Sequence, residues 1–156
     1  MGTKPPATAK RVRARSGGAP LLQEMLAHLR RGEGSLRRRW MKEMEARRYL
    51  RGGSAEELEA DSVAIYDAHL TCLETGHYHR AQALAKAMAA RGVLRRLTPK
   101  HIFVALLTLQ GVCEESLAQR YRERPDRLNQ SLAMFKSVAN RILVIVALAF
   151  LQEREG

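Results

Sequence analysis

The side chains of this chain with the widest chemical reach are its five histidines and two cysteines, and four of them, His69, Cys72, His77 and His79, fall within eleven residues. A helix drawn through this stretch places His69 inside the apolar arc formed by Ile65, Tyr66, Leu70 and Leu73. A buried imidazole in such a setting suits a haem or gas ligand, with Tyr66 and Cys113 as further buried ligand or sensor positions. The plainer reading is a hydrogen-bonded core histidine. We take the plainer one and expect no cofactor, because nothing supplies a second diagnostic feature.

Metal chemistry fares no better. Residues 69 and 72 lie about one turn apart, but His77 and His79 are separated by two, a poor helical spacing for a shared ion. No metal site is expected. Nucleophilic catalysis would require a hydroxyl or thiol beside a base and an orienting group. Cys113 instead sits beside Val112 in an apolar helix, where packing is the usual role. The acids Glu43, Glu45, Glu56, Glu59, Glu114 and Glu115 fall in the polar phases of helices. Gly17-Gly18 and Gly52-Gly53 lack the pattern and the lysine of a phosphate loop. The expectation is a protein that is not an enzyme.

Charge offers a different chemistry. The chain has a net charge of +11 in 156 residues, and with 46% apolar residues the basic excess lies over an ordinary folded core. Residues 1–19 carry Lys4, Lys10, Arg11, Arg13 and Arg15 with no acid and one large apolar residue, Val12, and read as a disordered basic arm. Arg37, Arg38, Arg39 and Lys42 are candidate anion contacts, continued by Arg47, Arg48 and Arg51. Together with the arm they offer salt-dependent contacts to nucleic acid, the alternative to a signalling role. Aromatic residues are 5% of the chain, too few for single-strand stacking platforms.

The elements that must carry these residues are helices. Leu22, Met25, Leu26 and Leu29 repeat at helical spacing from Pro20 until Gly32 and Gly34, which should stop the helix. Ser35 should cap the next, with Leu36, Trp40, Met44 and Leu50 inward and Gly52-Gly53 at its end. Ser54-Ala55-Glu56-Glu57 forms a capping box, and its helix should run to about Thr75 before Gly76. An alanine-rich helix from His77 ends at Gly92. Thr98-Pro99 opens a helix whose first half, apolar nearly all round, should be central, and which narrows to Leu109, Cys113 and Leu117. Pro125 or Asp126 starts the last, with the stripe Leu128, Leu132, Phe135, Val138 and Ile142. No stretch alternates with the period of a strand. The fold class is all-α: a single bundle of about six helices over residues 20–156, with antiparallel neighbours.

The order of these segments resembles the N-terminal sensor domains of RsbRD-type proteins, the RsbT co-antagonists related to bacterial stressosome scaffolds. The matching features are Trp40 in the early basic helix, the serine cap at Ser54, the junction from Arg91-Gly92 through Leu97-Thr98-Pro99, and the apolar last helix closing on Glu153-Arg154-Glu155. The resemblance covers about residues 20 to 155. It implies a regulatory domain, globin-like in form, that works in stress signalling as a homodimer. It also implies a downstream partner of STAS, kinase or phosphatase type. The family plan would continue into an output domain, of which the sequence to Gly156 contains none, so the expectation is either a stand-alone module or a fragment of a longer protein.

Residues 142–151, "ILVIVALAFL", are ten apolar residues in a row. A membrane span needs roughly 20, and with no signal peptide before it the chain is expected in the cytoplasm, away from membranes. Ile142, Val144, Ile145, Leu148 and Leu151 point in too many directions for a one-sided stripe. They are therefore the candidate dimer or partner interface.

Overall fold

The computed structural model describes residues 19–47, 55–94 and 98–155. Among them are six helices and no strand: α1 (Ala19–Arg31), α2 (Glu33–Ala46), α3 (Ala55–Thr75), α4 (His79–Leu94), α5 (Pro99–Arg120) and α6 (Pro125–Glu155). The bundle class and the helix order follow the periodicity. The basic arm up to residue 18, Leu50, Gly52-Gly53 and the Ser54 cap lie outside the described residues.

Two local expectations change. Gly32 separates α1 from α2 as read, but Gly34 and Ser35 lie inside α2 and Ser35 is no cap: Gly32 is the N-cap, its amide donating to His28 O at 3.0 Å and its carbonyl accepting from the Leu36 amide at 2.8 Å. α1 thus ends at Arg31, and α2 already begins at Glu33. Leu29 and Leu36, one on either side of the junction, are both buried. A Cβ at position 32 would come within 3.3 Å of His28 O and 3.4 Å of Leu36 Cδ1, so close packing favours glycine there. In α1 it is Leu21, with Met25, Leu26 and Leu29, that is buried, while Leu22 is half-buried.

The second change concerns α5. Its early residues Ile102, Phe103 and Val104 are only half-buried and Leu107 is exposed, whereas Leu106, Leu109, Val112, Cys113 and Leu117 are buried. The centre of the bundle thus meets the middle and second half of α5. The start is as read: Thr98 is extended and Pro99 occupies the first turn.

Gly76 ends α3 with a left-handed φ of 72°, and its amide donates to Cys72 O at 2.9 Å. α4 turns Ala81, Ala85, Met88 and Ala89 inward, and their small size lets it lie close along α6. α6, 31 residues long, also touches α1, α3 and α5 and is the axis of the bundle. Trp40, Tyr66, Phe135 and Phe150 are the largest fully buried side chains. Their polar ends are satisfied: Trp40 Nε1 donates to Ala105 O at 2.8 Å and Tyr66 Oη to Leu29 O at 2.6 Å.

Candidate functional site

His69 is in the core, 3% exposed, with its ring stacked on Phe135 at 6.3 Å. Its Nδ1–H donates to Ile65 O at 2.8 Å, which fixes Nε2 as the acceptor nitrogen. Burial pushes the imidazole below its ordinary range and keeps it neutral. Beside it is a cavity of about 10 Å³ walled by Ile65, Ala68, Ala81, Leu84, Met88 and Val146 among others. That is room for one water molecule, whereas pockets for larger ligands measure about 300 Å³ or more. A haem would have to part α3, α4 and α6.

Tyr66 and Cys113 do not line this cavity. The Tyr66 hydroxyl is spent on Leu29, and burial raises its pKa. Burial pushes the Cys113 thiol up to about 12, so it stays protonated and is a poor nucleophile. Cys72 is buried and His77 stacks on His79 at 6.2 Å. Among the described residues no three metal-ligating side chains converge.

The four basic residues singled out by sequence divide into two pairs. Arg37 is bound to Glu33 at 3.2 Å, Glu59 at 2.6 Å and the Ser62 hydroxyl at 3.1 Å. Arg39 is bound to Glu115 and, at 3.7 Å, to Glu43. Both staple α2 to its neighbours. Arg38 and Lys42 are exposed and have no carboxylate partner among the described residues.

The five apolar residues of the last helix also divide. Ile142 is 3% exposed and belongs to the core with Val146, Ala149 and Phe150, so it is no interface residue. Val144, Leu148 and Leu151 are 56%, 52% and 51% exposed. They recur at four and three residues and so share the outer face, because successive residues advance by about 100° around a helix. Ile145 is half-buried at the edge of this flank. It lines, with Leu148, Ala149, Gln152, Gln82 and Ala83, a groove of about 470 Å³ between α4 and α6.

Sequence reasoning missed two exposed apolar residues, Val63 on α3 and Leu107 on α5. The signal for Leu107 was present: it is out of phase with Leu106, Leu109 and Cys113. It also lines a second groove, of about 380 Å³, with Val104, Thr108, Gly111 and Val112. The length argument against a membrane span needs correction as well. Counted beyond its ten-residue run, α6 contains an 18-residue window long and apolar enough, by composition, to cross a membrane. Less than half of that window is buried, and the buried part is the bundle's own axis.

Compared with known proteins, the chain matches no family model, no curated protein and no solved structure.

Proposed function

We propose that the chain is a non-enzymatic module of bacterial signalling, a sensor or protein-interaction domain of stressosome type, that dimerises through the outer flank of α6. The reading places it in the cytoplasm and passes its signal to a partner or output domain of STAS, kinase or phosphatase type. The observation that carries it is the line Val144, Leu148 and Leu151, half in water on the helix that forms the bundle's axis. Burying a large apolar side chain is worth about 1.5–3 kcal/mol, so covering the exposed halves of these three would recover roughly 2–4 kcal/mol. An exposed apolar line of this kind favours association.

The same helix supports the coupling. Its inner face, Phe135, Val138, Ile142, Val146 and Phe150, packs in the core while its outer face is free for a partner. A shift of α3 or α4 against the core side would move the outer side with it, since close-packed interiors transmit displacement. The resemblance to RsbRD-type sensor domains, and with it the globin-like form, agrees with an axis helix that leads out of the domain.

Leu148→Glu tests the reading, because position 148 is outside the core and the variant should keep its helicity. The intact chain should have the molar mass of a dimer by light scattering, and the variant that of a monomer. A monomeric intact chain at high concentration, or a variant of unchanged mass, would refute it.

A further inference from the structure

The α6 flank leaves the basic excess of the chain without a role, and the structure shows where part of that excess is unspent. Arg31 closes α1, and Arg38 and Lys42 follow on α2 at spacings of seven and four residues. All three are exposed, opposite the buried Leu36, Trp40 and Met44. Gly32, whose amide donates to His28 O and whose carbonyl accepts from Leu36 N, is the single residue between α1 and α2. Among the described residues none of the three has a carboxylate partner, whereas their neighbours Arg30, Arg37 and Arg39 are all paired, with Glu74, Glu59 and Glu115. Glu33, Glu43, Glu59, Glu74 and Glu115 are held on the flanks of this face by those arginines, and Glu45, exposed three residues beyond Lys42, is the carboxylate that closes the line at its far end.

At the Arg31 end the positive surface continues onto another helix. Arg120 of α5 and Arg31 both act on His28, and together with burial, the larger effect, they hold its imidazole below the ordinary range. Glu24, the carboxylate at that end, is bound by Arg127 at 2.6 Å and Arg120 at 3.7 Å, and takes the Tyr121 hydroxyl at 3.3 Å. Exposed Arg124 lies beside them.

We propose that the line Arg31, Arg38 and Lys42 binds the phosphate backbone of double-stranded nucleic acid. The side chains between them decide against an acidic protein. Protein interfaces centre on buried apolar or aromatic anchors, and the residues sharing this face, Ala27, Gly34 and Ser35, are small and exposed. At Gly34 an added Cβ would meet nothing, so the glycine is not required by the bundle's own packing and leaves the helix surface low. Small residues between regularly spaced cations give phosphate contacts without base readout, so the binding is independent of sequence. The five basic residues of the first 15 would add to it. This inference does not depend on the α6 flank.

The test uses the full chain and a short mixed-sequence DNA duplex, with affinity measured across roughly 50–200 mM salt. Each phosphate contact contributes about 0.9 to the slope of log affinity against log salt. The triple variant Arg31→Gln, Arg38→Gln, Lys42→Gln should therefore lower that slope by about 2.7. The control, Lys86→Gln, Lys100→Gln, Arg154→Gln, removes the same charge from exposed cations elsewhere and should leave the slope near that of the intact chain. Equal losses in both variants would show a diffuse effect of net charge and overturn the site. So would an intact chain that binds anionic lipid vesicles or acidic polypeptide but not the duplex.

Discussion

At the residue scale the most informative side chain is His69, a neutral imidazole in an apolar core. Its folded-state pKa is depressed by burial, so the folded protein resists the proton that the unfolded chain accepts near pH 6.5. Above that pH both states are neutral and the group has no effect on the pH dependence of stability. As pH falls below about 6.5 the unfolded state gains its proton first, and stability is lost. The melting temperature should fall between about pH 7 and 5, and in His69→Leu it should fall less, the remaining fall including that from His28, which burial shifts the same way. Parallel profiles for the two proteins would show that His69 is not buried as described. The type and phase of this residue were legible, as it sits in the arc of Ile65, Tyr66 and Leu70. Its partner was not, because the Ile65 carbonyl becomes available only through the rotamer the core imposes.

At the element scale the helices were legible because apolar residues at helical period have few alternatives in a chain without strand patterns. The junctions were legible only in part. Gly32 ends α1 as a breaker should, but Gly34 and Ser35 lie inside α2, because a glycine costs a helix only about 1 kcal/mol and the burial of Leu36 outweighs it. The division of the apolar run in α6 was only partly legible. Within the run every residue is apolar, and the phase comes from the stripe Leu128, Leu132, Phe135, Val138 and Ile142 that leads into it, which continued puts Ile142 inward and Val144 outward, as the packing does. α4 itself depends on small residues: Ala85 is fully buried where the helix lies against α6. Ala85→Leu should cost about 1–3 kcal/mol in denaturant unfolding, and a neutral substitution would mean that the two helices are not in close contact.

At the scale of the whole molecule two surfaces are left over once the bundle has satisfied itself: an apolar flank on α6 and a basic line on α1 and α2. The net charge of +11 announced a basic surface but could not say which arginines are consumed by ion pairs; Arg37 and Arg39 are, and Arg38 and Lys42 are not. The central claim concerns the first surface, and accessibility at position 144 tests it most directly. Val144→Cys changes little in size and places a thiol on the outer flank, while Cys72 and Cys113 are buried, with raised pKa values, and stay silent in the folded state. The rate of labelling by a bulky maleimide should fall as protein concentration rises and two copies cover the flank; a rate that is fast and independent of concentration would contradict dimerisation through α6.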